Sequence, residues 1–265
     1  RRYFRVYVDP SGDESFTEIP HPPHLCIVGG PAERLSVIAP SQTVVGKPFR
    51  VFVRALDRFG NPSYGYDGAV RFELNGDSLL LPKEYVFGPD DHGVHRFEAF
   101  TFEPGLYRVT VRDENSKIGG VSNPISCQTQ PYEYNLYWGD IHGQVKLAEK
   151  ISEYFKFSRD AAILDFASHQ RNDHEVSRSD WEETKRAVRQ YNEPDTFVVL
   201  LGYEWSGEHP VGGDHNIYFL EDDQPIRRSG HEMVEDKSDA DTDLTSIQDV
   251  YKEFRGKKVL IVPHV

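Results

Sequence analysis

From Leu35 to Cys127 apolar and polar residues alternate in short runs, among them "RLSVIAP", "PFRVFVRALD", "GAVRFEL", "HRFEAFTF" and "GLYRVTVRD". Within the second run Val51, Val53 and Ala55 alternate with Phe52, Arg54 and Leu56, and "RFGNPSYGYDG" then supplies Gly, Asn and Pro. A period of two puts alternate side chains on opposite faces of a strand. Several such strands divided by turn residues predict an antiparallel, immunoglobulin-like β-sandwich. Upstream, "RRYFRVYVD" reads as one more alternating strand and "PHPPHLCIVGGPAE" as a Pro/Gly-rich connector, in which His21 and His24 are exposed loop residues.

After "SCQTQPYEY" apolar strands alternate with charged helical stretches. "EYNLYWGD", "ILDFASH", "DTFVVLLGYEWS", "DHNIYFLE" and "KVLIVPHV" read as strands, and "KLAEKISEYFKFSRDAA", "SRSDWEETKRAVRQYNE" and "TDLTSIQDVYKEFRGK" as helices. This alternation predicts parallel βα units, open or closed into a barrel. In the second helix Trp181, Ala187, Val188 and Tyr191 form an inward stripe, while Glu182, Lys185, Arg186 and Arg189 face water. Ser179 with Glu182 makes a capping box, and Pro194 stops the helix. The predicted organisation is a strand and connector over 1–30, a sandwich over 31–130 and a βα domain over 131–265.

A formal net charge of -13 repels phosphate backbones, so nucleic acid is not an expected partner. No apolar run approaches the roughly 20 residues that span a bilayer, and the first residues lack a signal-peptide core. Two cysteines, Cys26 and Cys127, exclude a disulfide-dense scaffold and read as unpaired, partly buried thiols.

Chemistry concentrates where the predicted strands stop. The first ends in Asp140, His142 and Gln144, the second in Ser168, His169 and Gln170, and the third in Glu204. The fourth begins Asp214-His215, and the last ends Pro263-His264. Carboxyl-end positions of a parallel sheet form its ligand face, so these groups are expected to converge. Imidazole and carboxylate without cysteine suit a catalytic divalent metal with an open position. On the loop after the second strand, Arg171 is a candidate for binding an anionic substrate, and Asp173 or His174 for assisting proton transfer. Asp140 is placed to orient a ligating histidine. His92, His95, His209 and His231 read as solvated.

The segments "YWGDIHGQ", "LDFASHQRND", "LGYEWS", "GGDHNIYF" and "VLIVPH", in this order, resemble the polymerase and histidinol phosphatase (PHP) superfamily, from about Tyr134 to Val265. The resemblance implies a distorted TIM-like βα barrel, here partial, that binds zinc, manganese or iron. It implies His142, His169, Glu204, His215 and His264 as ligands. Gln144 stands where that family places a second histidine, and Ser168 where many members have aspartate, so one or two ions are expected instead of a fuller cluster.

The resulting expectation is a hydrolase in which a metal-activated water attacks a phosphoester, with Glu204 on the metal. Carboxylic esters and amides are the alternative substrates, and a non-catalytic binding module with a degenerate barrel is the alternative class. "KKVLIVPHV" reads as a parallel strand covered on both faces. A further C-terminal segment or second chain is therefore expected to complete the barrel.

Overall fold

In a computed structural model the chain divides into two compact units, Arg1–Tyr134 and Asn135–Val265. The structure describes residues 2–25, 28–74, 78–145, 150–207 and 212–264. Cys26 and His209 lie outside the described residues.

The first unit is built mainly from antiparallel strands whose inward parity is apolar, with one parallel pair, Gln42–Val44 beside Ile125–Gln128. Phe49–Leu56 pairs with Arg34–Ile38 on one side and Val94–Thr101 on the other, and Ala69–Leu74 pairs with Glu84–Val86 and Val109–Asp113. Phe49, Val51, Val53 and Ala55 are buried, as alternation requires, and they share one core with Val70, Phe97, Val109 and Val111. Cys127 is a buried free thiol in that core. His95 is not simply solvated: its Nδ1 lies 2.6 Å from Asp91 Oδ1, and its ring stacks on Tyr85 at 4.0 Å.

Among the described residues the second unit carries one five-stranded sheet. Its elements are β1 (Gly139–Gly143), α1 (Ile151–Asp160), β2 (Phe166–His169), α2 (Arg178–Tyr191), β3 (Val198–Ser206), β4 (Asp214–Phe219), α3 (Ile247–Phe254) and β5 (Val259–Pro263). Spatial order follows chain order. The β1–β2 and β2–β3 pairs are parallel, whereas β3–β4 and β4–β5 are antiparallel. Ala167, Val199, Leu201, Tyr203, Trp205, Ile217 and Phe219 face the helices and share a core with Ile151, Phe155, Trp181, Val188, Val250 and Phe254. The alternate strand positions, including Ser168, Gly202, Glu204 and Asn216, therefore face the other side.

This arrangement corrects the predicted barrel. Only residues 207–213 separate β3 from β4, too few for the helical crossover a parallel pair needs, so the chain turns back as a hairpin. Gly213, at φ +74°, holds a left-handed conformation in that turn. Among the described residues three helices cover one face, and β1 and β5 are the outermost strands of the sheet. The last strand is antiparallel to its neighbour, with Leu260 61% exposed, and is not a parallel strand covered on both faces. The first strand is shorter than the apolar run suggested. It starts at Gly139, and Tyr134, Leu136, Tyr137 and Trp138 before it are exposed.

Two details of α2 differ as well. Its N-cap is Ser177, whose hydroxyl accepts from the Asp180 amide while Asp180 reaches back to the Ser177 amide, so the capping box lies two residues earlier. Lys185 is buried, with Nζ 2.8 Å from Glu182 and 3.0 Å from Asp223. Among the described residues no helix is long and apolar enough to cross a membrane.

Candidate metal centre

Strand register brings three ligand-type side chains together. Glu204 on β3 lies opposite Asn216 on β4, and Asn216 lies opposite Val262 on β5, so these three share a face. His264 is two residues beyond Val262, and its amide continues the ladder by donating to Asp214 O at 2.8 Å. His142 arrives from the far edge, where an irregularity in the β1–β2 register between Asp140 and Gly143 reorients the strand. One ligand atom from each of His142, Glu204 and His264 lies within 4.8 Å of the others.

The carboxylate is the centre of this group. Glu204 is 3% exposed, with Oε1 2.8 Å from His264 Nδ1 and Oε2 3.8 Å from His142 Nε2. The amides of Gln144 and Asn172 donate to Oε2 at 2.7 and 3.2 Å. His142 Nδ1 meets Asn216 Oδ1 at 2.9 Å, which puts the proton on Nδ1 and leaves the Nε2 lone pair on the Glu204 side. The two imidazoles stack at 4.2 Å between centroids, and their side chains keep 28% and 38% exposure. A buried carboxylate therefore stands at the base of a site that is open above.

Other sequence-derived candidates lie elsewhere. His215 is opposite Trp205 and Pro263, the parity that faces α3, and its ring meets Trp205 and Tyr251 edge-on. His169 is buried against α1 and α2, with Nε2 accepting from the Val145 amide at 3.1 Å. Asp140 receives the Tyr154 hydroxyl at 3.1 Å and the His142 amide at 3.0 Å, so it shapes the backbone under His142. Gln144 presents its NH2 to Glu204 and to Gln170 O, and in this arrangement acts as a donor. Arg171 lies 3.5 Å from Glu175 and 3.3 Å from Asp180. Asp173 is fully buried, and its hydrogen bond raises the pKa of His174.

His231 is not solvated. It is 7% exposed and bonded to both Asp243 and Asp239, at 2.6 and 3.0 Å. The residues that sequence reading missed are amides: Asn172, although its loop was noticed, and Asn216. The hairpin was the available signal, because it places Asn216 rather than His215 beside Glu204.

Residues 138–265 match a family model described as a protein of unknown function (DUF3604). An uncharacterised protein of Chlamydia pneumoniae is 30% identical over 223 residues, covering 82% of this chain and 36% of its own length. Uncharacterised proteins of Chlamydia trachomatis serovar D and Chlamydia muridarum are each 26% identical over 271 residues, covering 99% of this chain and 41% of theirs. The chain thus spans well under half the length of these relatives.

Among solved structures, a CARDB domain from Pyrococcus furiosus is 19% identical, with 39% of this chain and 95% of that chain covered and a TM-score of 0.27. A β-glycosidase from Bacteroides vulgatus is 14% identical over 37% of this chain and 14% of that chain, with a TM-score of 0.32. The D00-D0 domain of Intimin is 9% identical over 39% of this chain and 50% of that chain, with a TM-score of 0.29. These are loose likenesses. The stretch that carried the resemblance to the PHP superfamily is matched instead by the DUF3604 model, so that assignment is corrected.

Proposed function

We propose that the 135–265 unit binds a divalent cation through His142, Glu204 and His264 and uses it to hydrolyse an ester bond. The observation that carries this reading is the Glu204 carboxylate, 3% exposed and flanked by two imidazoles that each retain an open side. A buried carboxylate needs compensating charge, and a cation among two nitrogens and one oxygen supplies it. Ligand atoms of a tetrahedral zinc site stand about 3.4 Å apart, from bond lengths of about 2.1 Å. The ligand atoms of this triad lie within 4.8 Å of one another, and its Glu204 contacts of 2.8 and 3.8 Å bracket that spacing.

The chain's own residues have separate tasks here. Glu204 brings the negative charge, Gln144 and Asn172 hold its Oε2, and Asn216 sets the tautomer of His142. The exposed sides of His142 and His264 leave room for water and substrate. The cation, when bound, supplies Lewis acidity, which activates water and offsets charge on a phosphoryl or carbonyl oxygen. Phosphoesters are the first substrates to test on that ground, followed by carboxylic esters and amides.

Metal analysis after equilibration with zinc, manganese or iron, with competition titration and a hydrolysis screen, tests the proposal. Wild type is expected to retain metal and to turn over at least one ester class. Glu204→Gln is expected to lose metal affinity by about a hundredfold and to lose turnover while keeping its circular dichroism. Equal affinity in the variant rejects the site, and metal uptake without any turnover rejects the hydrolase.

A further inference from the structure

We infer that Asp173 is a positioning residue that couples the loop 226–243 to the Glu204 carboxylate, and that it serves the cation site proposed above. Asp173 opens the short turn after β2 and is 0% exposed. Its Oδ1 accepts from the Ser206 amide at 3.0 Å and the Ser229 hydroxyl at 3.1 Å, and its Oδ2 accepts from the Ser229 amide. Two of these donors are backbone groups from separate segments, the end of β3 and a loop 56 positions further along the chain.

The consequence falls on the preceding residue. Segment 171–173 runs beside 204–206 as an extra rung of the sheet, with the Glu204 amide donating to Arg171 O at 3.1 Å and Asn172 bridged to Glu204. Asp173 fastens the upper end of that rung through Ser206. With the rung in register, the Asn172 amide reaches both Glu204 Oε2 at 3.2 Å and Ser206 Oγ at 2.9 Å. A slip of this segment withdraws one of the donors that hold the carboxylate.

The loop at the other end of the coupling is braced internally. Arg228, 0% exposed, donates to Val176 O at 2.8 Å and to Asp239 at 3.0 Å, and His231 joins Asp239 to Asp243. Ser229 sits between these two anchors, so the backbone amide it offers Asp173 is fixed in place. Only a carboxylate matches both amides. Asparagine has nearly the same shape, but its NH2 would face an N–H and leave two buried donors opposed.

The test compares the full chain with Asp173→Asn, using visible absorption during Co2+ titration and site-resolved amide hydrogen exchange. The variant is expected to bind Co2+ at least about tenfold more weakly and with displaced d–d bands, the size of effect seen when support behind a ligand is lost. Amides of Ser206 and Ser229 are expected to exchange faster while those of α3 stay protected. Unchanged affinity, spectrum and exchange overturn the inference. If wild type takes up no Co2+, the cation reading falls by itself, and exchange at Glu204 and Ser206 still decides whether Asp173 holds this rung. If Asp173→Asn does not fold, Ser229→Ala removes one bond and is expected to weaken Co2+ by about fivefold, and no change there rejects the coupling.

Discussion

At the scale of single residues, His169 is the clearest case of one imidazole read for the wrong task. Strand alternation forbids Ser168, His169 and Gln170 from facing one side together, and the sequence does not say which parity faces the site. The structure turns Ser168 to the Glu204 face, where it meets Gln170 and Leu200 O, and turns His169 toward α1 and α2. There desolvation pushes its pKa down from 6.5 to about 4, with the nearby Arg171 charge adding to the effect. Folded protein thus holds this imidazole neutral, while unfolded chain takes up a proton as pH drops below about 6.5. Stability is present above that pH and is lost as pH falls toward about 4, by an amount on the order of 3 kcal/mol. Urea midpoints across that window should fall less steeply in His169→Gln, which does not titrate; equal slopes would show that His169 plays no part in acid sensitivity. His142, Glu204 and His264 were legible as strand-end donors. Asn172 and Asn216 were not, because their role depends on register.

At the scale of elements, the helices were well marked by their periodicity and their ends less so. "SRSDWEE" contains two serines, Ser177 and Ser179, each three residues before an acid, so it supports two capping boxes equally. The choice falls to Ser177, because Val176 and Trp181 then stand at the two positions of a hydrophobic staple, and both are buried in the same core. Ser177→Ala removes the acceptor for the Asp180 amide, 3.1 Å away, and is expected to cost about 1 kcal/mol. Ser179→Ala is expected to leave thermal stability nearly unchanged, and the reverse ranking in calorimetry would contradict this cap. The barrel prediction failed for a related reason. Hydrophobic runs announce strands, but the direction of each strand is set by the length of its connection, and the short β3–β4 link permits only a hairpin.

At the scale of the whole molecule, the change of texture near residue 130 corresponds to a physical division. Each unit has its own buried apolar cluster, one drawn from Leu35 to Cys127 and the other from Ile151 to Phe254. Between them, residues 129–138 form no strand or helix, and Tyr134, Leu136, Tyr137 and Trp138 are exposed. Backbone outside strands and helices opens readily to proteases, while Trp138, tied to Asp165 through both its amide and its carbonyl, and the clusters on either side resist cutting. Brief chymotrypsin treatment is therefore expected to cut first within 132–137, where the aromatic residues offer the enzyme its side chains, and to leave two fragments that persist. Because each fragment retains its own core, each should unfold cooperatively when isolated, and calorimetry of the intact chain should give a van't Hoff enthalpy below the calorimetric one. First cuts inside either core, or one two-state transition for the intact chain with fragments that do not fold, would mean that the two clusters stabilise one another and that the division does not hold energetically.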